Sequence, residues 1–183
     1  MSGFYNYGNV AKSTGNNAPG SCEILIAPLS YFDTIATPDS SPTVAGDSVT
    51  ISDSHTFNAG NYGFIKMLGN VKPKNTGKGS TVGELKSKTM TWEITVPVAG
   101  LNAELLEFIE GGLNTDFIIL AANGCICSNG NPEYLQFGCE KVPCDLSADG
   151  DIGTIDGGFK GATLKFMSYG VPKIYTGSVT LYS

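Results

Sequence analysis

This chain contains no arginine and a single histidine, His55, and only 15% of its 183 residues are charged. Arginine supplies the planar fork of donors that grips phosphates and base edges. Its absence argues against sequence-specific nucleic-acid binding and against most phosphoryl-transfer sites. One histidine leaves little room for metal or acid–base chemistry. With eleven lysines against seventeen acids the formal charge is -6, so we expect an acidic protein without a nucleic-acid grip.

Long apolar runs and a secretory leader are also missing. The first twenty residues carry Lys12 as their only charge and contain no apolar core, and the longest apolar stretch, Phe117 to Ala122, is far too short to cross a bilayer. These features predict a soluble protein with no export signal and no membrane partner. We expect one domain over residues 22–183, preceded by a polar, flexible arm over residues 1–21.

Catalytic signatures are absent as well. The sequence has no G-x-S-x-G elbow, Walker loop, H-E-x-x-H helix or Rossmann fingerprint. A Ser-His-Asp or Cys-His site would have to be built on His55 alone, within an alternating strand. A histidine in such a strand is more often a surface or pore-facing side chain than a base. We therefore expect no enzyme activity, no catalytic residue and no cofactor.

The five cysteines are an odd number in a chain without an export signal, which argues against a complete disulfide framework. Cys125 and Cys127, followed by Cys139 and Cys144, can be written as C-x-C and C-x4-C. Four thiolates would suit zinc, but this spacing differs from the common ribbon and finger patterns. We interpret all five, including Cys22, as structural and metal-free. Zinc measured on protein purified without chelator would decide between the two interpretations.

Glycine and proline are abundant, at 24 and nine residues, which favours short strands joined by many turns. Apolar runs and two-residue alternation predict a mainly β fold, a sandwich or barrel of antiparallel strands. A terminal hairpin is expected, with strands over 159–168 and 173–182 turned at 169–172. The other predicted strands cover residues 22–27, 49–56, 62–68, 87–98, 116–122 and 134–140.

The strand predicted over 87–98 has the clearest alternation in the sequence. Apolar side chains occupy every second position, which predicts one buried face and one polar face. The apolar residues are Met90, Trp92, Ile94 and Val96. The polar residues are Thr89, Thr91, Glu93 and Thr95.

The only helix signal follows this strand directly. Asn102 can cap the helix, Glu104 lies in its first turn, and Gly111 and Gly112 end it. The pattern predicts a short amphipathic helix over residues 102–110 that lies on the sheet. Glu104, Glu107 and Glu110 are expected to form its solvated face.

Two segments are predicted as exposed loops from their composition. Residues 69–86 are rich in Gly, Lys, Pro and Thr, and a loop of such length in a compact domain is usually functional or disordered. Residues 145–158 hold four aspartates among glycines. They lack the EF-hand spacing and its terminal glutamate, so an acidic surface loop is preferred over a calcium site. The first loop is a basic projection that carries Lys72, Lys74, Lys78 and Lys86.

Two stretches resemble the tail tube proteins of bacteriophages and related injection systems. Residues 89–124, TMTWEITVPVAGLNAELLEFIEGGLNTDFIILAANG, are similar to the strand-helix-strand centre of those proteins. Residues 157–182, GGFKGATLKFMSYGVPKIYTGSVTLY, resemble their closing hairpin. The likeness is one of pattern and topology, and neither the N-terminal arm nor the cysteines belong to it.

This resemblance implies a structural virion protein whose copies join into homo-hexameric rings. The rings would stack with other tail proteins into a hollow tube through which DNA passes without specific binding. Assembly would occur in the host cytoplasm, and the protein would reside in the virion tail. The lysine loop would reach the adjacent ring and meet acids such as Asp149 and Asp151. Deleting residues 76–81 should then block tube formation while leaving the monomer folded. Candidates for the lumen are the polar side chains around His55, or Thr89, Thr91, Glu93 and Thr95.

Two other classes of protein stay open. One is a capsid decoration protein or another structural β-sandwich of the virion. The other is a carbohydrate-binding β-sandwich that uses Trp92 and surface tyrosines as a sugar platform. Trp92 lies in the apolar phase of its strand, which favours a core position instead.

Overall fold

The computed structural model describes residues 24–60, 62–67, 76–122, 133–153 and 160–182. These residues form a mainly β fold with one α-helix, as the sequence predicts. A six-stranded sheet packs face to face against a four-stranded sheet, and a two-stranded ribbon lies in a third layer on the far side of the larger sheet. The predicted N-terminal arm lies outside the described residues. None of the described helices is long and apolar enough to span a membrane.

The helix α1 covers Ala103–Gly112, and two short 3-10 turns cover Leu29–Tyr31 and Asp47–Val49. The strands follow in chain order. They are β1 (Ile24–Pro28), β2 (Phe32–Thr34), β3 (Thr50–Ile51), β4 (Thr56–Phe57), β5 (Ile65–Met67), β6 (Thr76–Val82), β7 (Thr89–Ala99), β8 (Phe117–Ala122), β9 (Tyr134–Phe137), β10 (Asp145–Asp151), β11 (Gly161–Tyr169) and β12 (Lys173–Tyr175).

The six-stranded sheet has the order β3-β12-β9-β8-β1-β5. Its central strand β8 is buried along its whole length. Ile119 faces the core between the two sheets, whereas Leu120 faces the core beneath the ribbon of β2 and β4. Burial on both faces explains why this strand is a continuous apolar run rather than an alternating one.

The four-stranded sheet is antiparallel and has the order β10-β11-β7-β6. Ile94 and Val96 of β7 are buried against the larger sheet, which confirms the predicted alternation of this strand. Helix α1 and its cap are confirmed, since the Asn102 side chain accepts a hydrogen bond from the Leu105 N–H at 2.9 Å, but its predicted end is wrong because both Gly111 and Gly112 are helical. Leu105 anchors the helix in the core between the sheets.

The strand predicted over residues 49–56 is wrong in extent. Only Thr50–Ile51 and Thr56–Phe57 are strands, and they belong to different sheets. The chain breaks between them because β3 pairs in parallel with β12, while β4 pairs with β2. The predicted neighbour over 62–68 contributes β5, which instead pairs with β1.

The terminal hairpin is also wrong. β11 pairs with β7 and β10 in the smaller sheet, whereas β12 pairs with β9 and β3 in the larger one. The turn at residues 170–172 therefore carries the chain from one sheet to the other. The first predicted strand exists, whereas of the second, predicted over 173–182, only Lys173–Tyr175 forms a strand, and each finds its hydrogen-bond partners elsewhere in the chain.

Both predicted loops contain strands. Thr76–Val82, within the basic loop predicted over 69–86, is the edge strand β6 paired with β7. Asp145–Asp151, within the acidic loop predicted over 145–158, is the edge strand β10 paired with β11. Composition did not predict these strands because each is held by backbone hydrogen bonds to a neighbouring strand. Its own polar, glycine-rich side chains give no sign of that pairing.

Candidate assembly surfaces

The outer side of the four-stranded sheet carries mostly polar side chains. On β7 the four residues predicted for the lumen share this side, because Ile94 and Val96 between them point into the core. The strand register places further residues of the other three strands on this side, among them the apolar Val82 and Met167 and the aromatic Tyr169. We call the charged and hydroxyl-bearing Ser, Thr, Asp, Glu and Lys members of this side the polar face. It comprises Thr76, Lys78, Ser80, Thr89, Thr91, Glu93, Thr95, Asp145, Ser147, Asp149, Asp151, Thr163 and Lys165.

Contacts within the polar face are few and exposed to solvent. The hydroxyls of Ser80 and Thr91 lie 3.0 Å apart across β6 and β7. The Lys165 ammonium pairs with the Asp149 carboxylate, which raises the pKa of the lysine. Both partners are exposed, at 37% and 69% of their side-chain surface, so the pair contributes little stability. The polar face is thus a surface of hydroxyls and solvated charges.

The charge of the polar face is negative on balance. Four acids, Glu93, Asp145, Asp149 and Asp151, oppose two lysines. Arginine, the residue best suited to hold a phosphate, is absent from the whole chain. Such a surface repels a DNA backbone and offers it no bidentate contact.

The polar face is bordered on each side by an edge strand. Within the described residues nothing pairs with the outer edge of β6 or of β10, and we call these two the free edges. Every residue of β6 is exposed. The free edges differ in charge, because β6 carries Lys78 and no acid, whereas β10 carries three aspartates and no base. Unpaired edges of this kind are templates for another strand.

The lysines predicted for contacts between rings are divided by the structure. Lys78 lies in β6, directly opposite Glu93 of β7, so it belongs to the polar face. Lys86 lies in the turn between β6 and β7 and adopts a left-handed backbone with φ of +69°. Lys72 and Lys74 lie outside the described residues.

His55 is buried, which corrects its prediction as a surface or pore-facing side chain. Only 4% of the residue is exposed. Its Nδ1 accepts the Ala36 N–H at 3.0 Å, so the ring proton resides on Nε2, which donates to Gln136 Oε1 at 2.9 Å. Burial lowers the pKa of the imidazole. A neutral ring sealed in this way cannot meet a substrate or face a pore. Its polar neighbours Ser54 and Thr56 are exposed, so their place in a lumen stays a prediction.

The surroundings of His55 show that its role is structural. The ring stacks on Tyr175 with centroids 4.6 Å apart and meets the edge of Phe32 at 5.5 Å. The Tyr175 hydroxyl accepts the His55 backbone N–H at 3.2 Å and donates to the Ser178 carbonyl at 2.8 Å. This network ties segments far apart in the chain onto the outer side of the larger sheet.

Two of the five cysteines lie in the described residues. Cys144 is buried, and burial raises the pKa of its thiol to about 12, which makes it a poor thiolate at neutral pH. Cys139 is exposed. In the described parts of the chain no three His, Cys, Asp or Glu residues come close enough to hold a metal ion. Cys22, Cys125 and Cys127 lie outside those parts, so the assignment of the cysteines stays a prediction.

Sequence reasoning missed how Trp92 is covered. A Cβ atom at Gly79 would lie 2.7 Å from the indole ring, so β6 passes directly over Trp92, and Phe137 packs against the ring at 5.5 Å. The indole N–H is sealed from solvent and has no hydrogen-bond partner among the described residues, and the residue as a whole is half-buried. The alternating glycines Gly77 and Gly79 were a sequence signal for this close approach, because they lie opposite Ile94 and Trp92 in the sheet.

Comparison with known proteins adds no family to these observations. No family model, no curated protein and no solved structure matches this chain.

Proposed function

We propose that this chain is a tail tube subunit of a bacteriophage or related injection system. Its copies join edge to edge into a homo-hexameric ring, and the rings stack around a lumen through which DNA passes. The observation that carries the proposal is a polar face of net negative charge bordered on both sides by free edges. The resemblance of residues 89–124 to the centre of tail tube proteins supports it.

The two free edges fit a ring because they differ from each other. In the ring, β6 of one copy lies beside β10 of the next, so the four-stranded sheets continue around the assembly. Lys78 then approaches aspartates of the neighbour, and the unpaired backbone groups of both edges find partners. An interface between two different surface patches closes into a ring when the rotation between copies allows it.

The polar face then lines the lumen. DNA moving along the tube meets hydroxyls and more acids than bases, so the wall neutralises few phosphates, releases few of the counterions condensed on the DNA and holds it weakly. The lack of arginine becomes a requirement in this role, since a conduit should not hold what passes through it.

Substitution of two glycines on the free edges tests edge-to-edge assembly. Gly77 of β6 and Gly150 of β10 are exposed, and a Cβ atom at either would meet no heavy atom within 4 Å. Gly77→Lys or Gly150→Lys should leave the monomer folded but place a charge where the neighbouring strand must pack. We expect either variant to lose rings in electron micrographs. Gly77→Ser and Gly150→Ser are the matched controls and should assemble normally.

These point substitutions are a cleaner test than deletion of residues 76–81. The deletion would remove the strand that covers Trp92, so it would confound folding with assembly. Rings formed by Gly77→Lys and Gly150→Lys at the wild-type yield would overturn edge-to-edge assembly through β6 and β10.

A further inference from the structure

Three tyrosines that are far apart in the chain lie together on the surface next to β5. Tyr31 is at the centre of the group, since its ring packs against Tyr62 with centroids 4.7 Å apart and against Tyr182 with centroids 6.1 Å apart. The rings of Tyr31 and Tyr182 are nearly parallel, at 21°, so they present neighbouring faces. Tyr62 is 40% exposed and Tyr182 is 53% exposed. We call these three residues the tyrosine platform.

Backbone contacts fix the positions of the tyrosine platform. The Tyr31 carbonyl accepts the N–H of the residue that follows β4 at 2.9 Å, and the Tyr182 N–H donates to the Phe64 carbonyl at 2.9 Å. The segment that carries Tyr182 passes directly over Gly63, where a Cβ atom would lie 2.5 Å from the carbonyl carbon of Leu181. Because the rings are placed before a ligand arrives, binding to them costs less conformational entropy.

A cleft of about 290 Å³ adjoins the tyrosine platform, with Tyr31 in its wall. We call it the helix cleft, because it lies between α1, β5 and the 3-10 turn that ends at Tyr31. Phe108 and Phe117 line it with aromatic surface, and their ring centroids are 6.2 Å apart. The volume is near the lower end of the range for small-molecule sites, so the helix cleft suits one ring-sized group.

Hydrogen-bonding groups also line the helix cleft. Glu107 and Ser30 are both exposed there. Among the described residues nothing pairs with the Glu107 carboxylate, so both of its oxygens can accept from a ligand. Burial, with the nearby phenols of Tyr182 and Tyr62, raises the pKa of Tyr31, whose hydroxyl can therefore donate as well as accept at neutral pH. Aromatic faces beside a few polar groups are typical of a small-molecule site.

Two classes of ligand do not fit this arrangement. Tyr31 packs directly on both other rings, which leaves no enclosed cage for a methylated ammonium ion. Glu107 repels phosphates, sulfates and acidic sugars. The site instead favours an uncharged ligand with a flat C–H surface and several hydroxyls.

We propose that the helix cleft and the tyrosine platform bind a β-linked, gluco-configured glycan. A pyranose whose substituents are all equatorial has axial C–H bonds, which form flat apolar faces that stack on aromatic rings. One sugar ring enters the helix cleft against Tyr31, and two neighbouring hydroxyls donate to Glu107. The β linkage keeps the next ring extended, so that it lies on Tyr182. The site uses no residue of the polar face or of the free edges, so it goes beyond the tail tube role and does not depend on it.

Titration calorimetry and saturation-transfer NMR with cellobiose and N,N′-diacetylchitobiose test the site. We expect at least one of these disaccharides to bind with a Kd of about 1 mM. Methyl β-glucoside should bind more weakly, because a single sugar ring occupies the helix cleft alone. Binding of the disaccharide should be stoichiometric, with one molecule per chain.

Substitutions locate the binding. Tyr182→Ala should raise the Kd about tenfold, whereas Tyr182→Phe keeps the aromatic face and should raise it less than about threefold. Glu107→Gln should also raise it about tenfold, because a charged acceptor forms stronger hydrogen bonds. Tyr169→Ala removes a tyrosine of similar exposure, 50%, from β11 and should bind like the wild type. Denaturant unfolding followed by Trp92 fluorescence reports whether each variant is folded.

The outcomes separate this inference from the proposed function. Weaker binding in folded Tyr182→Ala and Glu107→Gln, with binding retained in Tyr169→Ala, would support the glycan site. Lack of binding of both disaccharides to the wild type at concentrations well above that Kd would overturn it. Unchanged binding in Tyr182→Ala and Glu107→Gln would overturn it as well, since the sugar would then lie elsewhere. Whether the protein forms rings in electron micrographs tests the tail tube role and leaves the glycan site unaffected.

Discussion

At the scale of single residues, His55 is held neutral by contacts at both ring nitrogens. Nδ1 accepts a backbone N–H, and Nε2 donates to Gln136, which is the only glutamine in the chain as His55 is the only histidine. A second proton on the ring would place Nδ1–H against the Ala36 N–H and leave a charge in a buried aromatic cluster. Protonation therefore opposes the packing of the outer layer on the larger sheet.

We expect the free energy of unfolding to fall as the pH is lowered from about 7 to about 5.5. The unfolded histidine titrates near 6.5, whereas burial lowers the pKa of the folded one, so the unfolded state takes up the proton first. The loss begins near the unfolded pKa and continues down to the folded pKa. Its slope cannot exceed about 1.4 kcal/mol per pH unit, the limit for one proton.

Denaturant unfolding at a series of pH values, followed through Trp92 fluorescence, measures this effect. His55→Gln is the control, because it removes the only group with an ordinary pKa inside that window. A stability profile that keeps its slope between pH 7 and 5.5 in His55→Gln would show that the imidazole is not its source.

At the scale of elements, the hairpin of β6 and β7 depends on a close approach between backbone and side chain. The Trp92 ring fills the space beneath Gly79, whereas a Cβ atom at Gly77 would meet nothing within 4 Å. The two glycines occupy equivalent positions of one strand, two residues apart. They differ only in what lies beneath them.

Gly79→Ala should therefore destabilise the protein by about 1–3 kcal/mol, as overpacking does in a closely packed site. Gly77→Ala should change the free energy of unfolding by less than about 1 kcal/mol. Chemical denaturation of the two variants beside the wild type provides the comparison. Equal stability of the two alanine variants would mean that Trp92 does not lie beneath Gly79.

Elements whose signals are local were predictable from the sequence. β7, β8 and α1 each carry a full period of burial or a capping residue within their own segment, and the structure confirms all three. The partners of a strand are not encoded locally, which is why β11 and β12 resembled a hairpin. The polar side of β7 followed from its two-residue period. The free edges did not, because an edge exists only once the strand order of the sheet is known.

At the scale of the whole molecule, the two sides of the four-stranded sheet differ in character. Its inner side, with Ile94, Val96 and Phe166, is packed against the larger sheet and holds the monomer together. Its outer side is polar and ends in two free edges of unlike charge. In the ring that we propose, these edges pair with the edges of neighbouring copies. We therefore expect substitutions on the inner side to alter stability and substitutions at the free edges to alter assembly.

Electron microscopy of the purified wild-type protein over a range of concentrations is the most direct test of the tail tube role. We expect rings with six-fold symmetry and a central lumen, which stack into tubes as the concentration rises. Particles that remain monodisperse monomers at the highest soluble concentration would contradict it.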